Sequence, residues 1–121
     1  MNTRPDICFA VNTLSQYMVE PRRVHLIAAK HVMRYLKGTI DYGLKYASDC
    51  EISLQGFTDS NWASSVADGK STSGCCFSLG SAMISWFSRK QTSVALTIAK
   101  AEYIAMCSAS NKAVWFQKLL T

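Results

Sequence analysis

Residues 97–120 read TIAKAEYIAMCSASNKAVWFQKLL, and one carboxylate in this stretch decides how the chain is read. At 3.6 residues per turn, Ala105, Met106, Ala109, Ala113, Phe116 and Leu120 all fall within about 60° of Glu102. The spacing predicts one long helix with Glu102 on its apolar stripe, the side that packs on a sheet. A carboxylate there is costly unless it is paired or binds a cation. A structural ion pair and a metal or acid–base role are both open on this ground.

The residues before the helix supply the sheet. Residues 51–58 (EISLQGFT) predict a strand with Ile52 and Leu54 on one side, and residues 73–79 and 82–88 predict two more. Gly80-Ser81 between the last two is a hairpin signal. Three strands joined by short loops imply an antiparallel meander. In this reading Asp59 stands at or just past the end of the first strand. If the helix crosses that strand, Asp59 and Glu102 converge at one edge. Two such carboxylates are the hard oxygen donors that Mg²⁺ prefers. In two-metal phosphoryl transfer, carboxylates of this kind hold the ions that activate water and stabilise the leaving oxygen. The alternative for Asp59 is a turn residue capping local amides.

Upstream, the pattern is helical. Residues 5–18 place Ile7, Ala10, Val11, Leu14 and Met18 on one stripe, with Pro5 at a first helical position. A second helix starts at Pro21, runs to about Lys37 and stops at Gly38. Val24, Ala28, Val32, Tyr35 and Leu36 fall on one of its faces, and Arg23, Lys30, Arg34 and Lys37 on the opposite one. That basic stripe is either a solvated outer face or a track for a phosphate backbone. The two-helix segment is assigned to residues 1–46 and the strand-and-helix part to 50–121.

Composition narrows the class. Of 121 residues, 49% are hydrophobic, enough for a packed core, and 17% are charged, fewer than in an average soluble domain. No apolar run approaches a membrane span, and Asp6 interrupts the N-terminal MNTRPDICFAV, so neither a signal peptide nor a membrane partner is expected. The expected location is intracellular, with cytoplasm and nucleus not distinguished. Five cysteines without a CxxC pair fit reduced thiols. The net charge of +5 permits contact with nucleic acid. Its distribution is uneven: after Asp68 the only acid is Glu102, against Lys70, Arg89, Lys90, Lys100, Lys112 and Lys118.

Six stretches in order, RPDICFAVNTLSQYM, HVMRYLKGTIDYGLKY, GFTDSNWA, KSTSGCCFSLG, ISWFSRKQTSVAL and AEYIA, resemble the end of the Pol polyprotein of copia-type LTR retrotransposons. The resemblance covers nearly the whole chain. It implies that residues 1–46 correspond to the tail of reverse transcriptase and its connection, and 50–121 to the start of ribonuclease H. The implied fold is α+β: a truncated ribonuclease H-like domain, a three-stranded meander with one long helix, preceded by two helices. The implied activity is Mg²⁺-dependent hydrolysis of RNA in RNA–DNA hybrids. The family's first catalytic Asp and catalytic Glu carry over to Asp59 and Glu102, as catalytic residues and metal ligands. Its later carboxylates lie beyond Thr121, so the chain alone is expected to be inactive. Asn61, Ser64, Gly69 and Lys100 depart from the family's usual Asp, Gly, basic residue and Glu.

The expected partners are RNA–DNA hybrid or duplex, the other half of ribonuclease H, or a second copy paired through an exposed sheet edge. A non-catalytic nucleic-acid-binding module using Arg23, Lys30, Arg34 and Lys37 is the alternative function. A genomic relic with no function is a third.

Overall fold

The computed structural model describes residues 3–121. The chain divides into two compact units, Met1–Lys45 and Tyr46–Thr121. The fold is mixed α+β.

In the first unit a 3-10 turn (Pro5–Ile7) leads into helix α1 (Cys8–Ser15), and helix α2 spans Arg23–Gly38. The predicted 5–18 helix is therefore shorter. Ile7 is buried and Ala10, Val11 and Leu14 are half-buried, but Met18 lies past the helix and is 78% exposed. The α2 face is also turned from its predicted position. His25, Ala29, Val32 and Leu36 are its half-buried residues, whereas Val24, Ala28 and Tyr35 are exposed. The partner explains the rotation: α2 packs mainly on the short α1, so one narrow stripe is covered. His25 belongs to that stripe because its Nδ1 accepts the Arg22 amide at 3.0 Å while its ring stacks on Tyr17 at 4.0 Å. The helix start is thus capped without a Ser, Thr, Asp or Asn.

The end of α2 is tied to the turn by a polar cluster. Arg4 donates to both carboxylate oxygens of Asp6, at 3.0 and 2.7 Å, and to the Thr39 carbonyl and hydroxyl at 3.0 and 2.7 Å. Tyr35 donates its hydroxyl to Asp6 at 2.8 Å. The Arg4 guanidinium, with help from Tyr35, holds the Asp6 carboxyl below its ordinary value of 3.8, at about 2.

In the second unit, strands β1 (Leu54–Asn61), β2 (Thr72–Leu79) and β3 (Ala82–Lys90) form an antiparallel sheet in the order β1-β2-β3. Helix α3 (Ile98–Leu120) lies against β1 and β2. Gly80 turns the hairpin with φ +62, a conformation that suits glycine at the first position of a two-residue turn. The first strand starts and ends three residues later than predicted. Ile52 is 79% exposed, and pairing continues through the polar Thr58–Asn61 because the ladder to Thr72–Cys75 is made by backbone groups. Asp59 consequently lies within the strand, opposite Gly74.

The core is Cys75, Phe77 and Phe116, with Leu54, Ile84, Phe87, Ala109 and Ala113 packed on it. The Phe77 and Phe116 rings meet at 5.2 Å. Phe77 covers Gly56, where a Cβ would stand 2.6 Å from the ring edge. Ala101 and Ala105 are buried on α3. Met106 and Leu120, predicted for the same stripe, are 54% and 51% exposed. They sit on the flank of α3 that carries Glu102, and β1 is the last strand on its side of the sheet. All five cysteines are free thiols, and burial pushes the Cys75 thiol up. Among the described residues no helix is long and apolar enough to cross a membrane.

The Asp6 shift predicts a pH effect. A depressed carboxyl contributes stability that is complete above its ordinary value of 3.8 and lost as pH falls through about 2. Between pH 4 and 2, an NMR titration should show the Asp6 carboxyl protonating together with a change at the Tyr35 ring. Asp6 titrating at its ordinary value would show that the cluster does not hold in solution.

Candidate carboxylate site on the first strand

Cross-strand partners share a face of a sheet, so the register assigns each polar residue of β1 to a side. Leu54, Gly56, Thr58 and Ser60 alternate onto the α3 side, as the Gly56–Phe77 contact fixes. Gln55, Phe57, Asp59 and Asn61 alternate onto the other side, and all four are exposed.

Glu102 is half-buried, at the rim of the α3 stripe rather than at its centre. Its Oε1 accepts the Ser60 amide at 3.3 Å and the Ser60 hydroxyl at 2.9 Å. Among the described residues β1 has no strand on its outer edge, so this oxygen stands where a neighbouring strand's carbonyl would accept. Glu102 Oε2 has no hydrogen-bond partner among the described residues. The structure therefore brings Glu102 to the residue beside Asp59 and leaves the Asp59 side chain on the opposite face. Neither carboxylate has an ion pair among the described residues, so the ion-pair explanation of Glu102 does not apply; a serine takes that place.

The surroundings of the pair are tied down from both sides. Trp62 donates its indole N–H to the Ala95 carbonyl at 3.0 Å, linking the strand exit to the segment before α3. Ala63, at φ +48, donates its amide to Ser71 at 3.1 Å, and Ser64 shares a 2.8 Å hydrogen bond with Thr72. Lys90 pairs with Asp68 at 2.8 Å and holds its carboxyl far below the usual carboxylate range. Gln91 is buried and donates to Ser73 Oγ at 2.8 Å and to the Ala101 carbonyl at 3.0 Å. Ser60, Trp62 and Gln91 were not singled out by the sequence reading. For Ser60 a signal existed, since extending the Ile52–Leu54 alternation places it on the core side.

The donor set suits Mg²⁺, which takes one or two carboxylates, keeps several waters and completes its shell with substrate phosphates. Glu102 offers one such donor on the α3 face and Asp59 another on the opposite face, so the two meet that minimum only for an ion at the outer edge of β1, reached from both faces. Among the described residues no group of three or more ligating side chains exists. The basic residues Arg23, Lys30, Arg34 and Lys37 are all exposed on α2 in the other unit.

The unit is thus an α+β sheet-and-helix with an acidic strand edge. The chain is 42% identical over 113 residues to the secreted RxLR effector protein 161 of Plasmopara viticola, covering 93% of this chain and 80% of that protein. It is 42% identical over 119 residues to the retrovirus-related Pol polyprotein from transposon RE2 of Arabidopsis thaliana, and 41% identical over 119 residues to that from transposon RE1. Each of those matches covers 98% of this chain and 8% of the polyprotein. No family model matches the chain, and no solved structure does. Stretches of retrovirus-related Pol polyproteins from plant transposons are thus homologous to this chain over nearly its whole length.

The helix that carries Glu102 also yields a prediction. Thr97 accepts the Lys100 amide at 3.2 Å, the first half of a capping box, while Lys100 places a positive charge at the positive end of the helix dipole. Lys100→Glu should stabilise the unit by about 0.5–1 kcal/mol, a rise in melting temperature of roughly 2–8 °C. An unchanged or lower melting temperature would show that Lys100 is neutral in this setting.

Proposed function

We propose that residues 46–121 are the leading part of a ribonuclease H-type domain, derived from a retrotransposon Pol polyprotein, that acts on the RNA strand of RNA–DNA hybrids. The observation that carries this reading is Glu102 held against β1 at Ser60, one residue from Asp59. The β-β-β-α order and the similarity to stretches of Pol polyproteins support it.

Asp59 and Glu102, one from each face of β1, would hold a divalent cation at the open edge of that strand, Mg²⁺ by donor chemistry. When bound, the cation supplies an activated water and charge stabilisation at a scissile phosphate. Ser60 positions Glu102: its two hydrogen bonds occupy Oε1 and fix the carboxylate, so that Oε2 is the free donor. The Trp62 and Ser71 bonds hold the strand exit in place. With two carboxylates, cation binding is weak, and turnover by this chain alone is negligible.

Mn²⁺, used as a paramagnetic probe, should broaden the amide signals of Asp59, Ser60 and Glu102 ahead of all others. The Asp59→Asn variant should weaken this several-fold, and Asp59→Asn with Glu102→Gln should abolish it. Broadening centred elsewhere, or unchanged in the double variant, would remove the metal-site reading. Hybrid cleavage by the pure chain that depends on Asp59 would overturn the inactivity.

A second reading rests on α2. Arg23, Lys30, Arg34 and Lys37 lie within about 60° of arc on one face, exposed, on a helix without a single acid. Among the described residues none of the four has an ion pair. This favours a track for a nucleic-acid backbone. Arg34→Glu with Lys37→Glu should weaken binding to duplex or hybrid and lower the slope of log affinity against log salt by about 2, at roughly 0.9 per phosphate contact. Binding that ignores both substitutions would make the stripe a solvated face.

A further inference from the structure

The flank of α3 away from β1 carries a feature that the carboxylate site does not use. A cleft of about 430 Å³ lies between β3 and α3, with Ser73, Phe87, Arg89, Gln91, Ser108 and Lys112 in its wall. Two cations share one aromatic ring there. The Arg89 guanidinium carbon stands 5.6 Å from the Phe87 centroid, and the Lys112 ammonium 5.0 Å. Attraction to the ring holds both cations beside it, but it does not neutralise either charge. Lys90, the next residue on β3, is paired with Asp68. Arg89 and Lys112 have no ion pair among the described residues, and no carboxylate lines the cleft.

In the remaining wall Ser73 offers an anion a donor, whereas Gln91 does not. Ser73 Oγ accepts the Gln91 amide N–H, so its own hydroxyl proton is left to donate. The Gln91 amide cannot be turned round, because its nitrogen also donates to the Ala101 carbonyl. Its Oε1 is buried without a partner. Arg89, Lys90 and Lys112 line the cleft and no acid does; with Lys90 paired to Asp68, two unpaired cations face it.

Register relates this cleft to Glu102. Ser60, Ser73 and Arg89 are cross-strand partners in one row. They share the α3 face, with Glu102 bound at the Ser60 end and the cations at the Arg89 end. Two interstrand steps separate the ends, about 9–10 Å. That is roughly three nucleotides of rise on one strand.

We propose that the β3–α3 cleft binds a backbone phosphate of a nucleic acid, with Arg89 and Lys112 as its cations and Ser73 as a hydroxyl donor. The source of the phosphate rests on the hybrid-binding reading above; the anion chemistry of the cleft stands without it.

The test is fluorescence anisotropy on a short labelled RNA–DNA hybrid, with ¹⁵N NMR on the whole chain. Arg89→Gln with Lys112→Gln should weaken hybrid binding about tenfold and lower the salt slope by about 2. Lys100→Gln with Lys118→Gln removes the same charge from α3 outside the cleft and should leave binding within about twofold. Orthophosphate should shift the Ser73, Arg89 and Lys112 amides and compete with the hybrid. Thermal melts of both double variants establish that each is folded. Equal loss in the two pairs would reduce the effect to bulk charge and overturn the proposal. Orthophosphate binding in the cleft with hybrid affinity indifferent to Arg89 and Lys112 would identify free phosphate as the source, and would also overturn it. Broadening of Ser60 by Mn²⁺ in the cleft variant reads the carboxylate site separately, so failure of one site does not imply failure of the other.

Discussion

The Phe77 ring lies over Gly56 and against Phe116, and this contact fixes which way every side chain of the sheet points. The period of a strand is two. Once Phe77 faces α3, Cys75 and Ser73 face it as well, and the register carries the assignment to Thr58 and Ser60 on one side and to Phe87 and Arg89 on the other. A slip of one residue on β1 would exchange Ser60 for Asp59 beneath the helix. It would also place the Gln55 or Phe57 side chain where the ring now lies. Gly56 keeps that register: no other position of β1 lets the ring approach the strand so closely.

The same packing sets the height and the rotation of α3. Ala101, Ala105, Ala109 and Ala113 present small side chains to the sheet, so the helix axis lies close to it and its flanks remain near the strands. Glu102 sits on the β1 flank and Lys112 on the β3 flank. Each stays half-exposed while reaching its partner, Ser60 in one case and the Phe87 ring in the other. Met106 and Leu120 share the Glu102 flank and stay exposed there, because the sheet ends at β1. The carboxylate is retained on that flank without an ion pair because a backbone amide and a hydroxyl satisfy one of its oxygens.

Much of the second unit was legible from residue order. The helix was set by its spacing, the hairpin by Gly80-Ser81, and the meander by the short loops. The strand that carries Asp59 was misplaced by three residues. Its inner face is Leu54, Gly56, Thr58 and Ser60, and three of those four lack the large apolar side chain that alternation relies on. The α2 face was misjudged for a related reason. Periodicity reports which side of a helix is apolar, whereas burial depends on how much partner is available, and α1 offers only eight residues. Ser60 and Gln91 escaped notice because short polar residues acquire a role only when a second element arrives. Ser60 waits on α3, and Gln91 on both β2 and the first turn of α3.

The row from Ser60 through Ser73 to Arg89 gives the α3 face a polarity, acidic at β1 and basic at β3. This bears on how a two-carboxylate site can work. Mg²⁺ sheds water reluctantly and binds one or two protein carboxylates weakly unless phosphate oxygens complete its shell. On the proposed reading, a carboxylate edge with two ligands would depend on the substrate to bring the remaining oxygens. A nucleic-acid backbone, the substrate proposed, would be repelled by the same carboxylates and would have to be held from elsewhere. Cations about 10 Å along the same face meet that need without neutralising Glu102, being far enough that solvent screens the direct attraction. Had Arg89 or Lys112 stood next to Glu102, the pair would have collapsed into a salt bridge and removed both the ligand and the anchor. Separation of the two charges by one strand is what keeps each available to a third party.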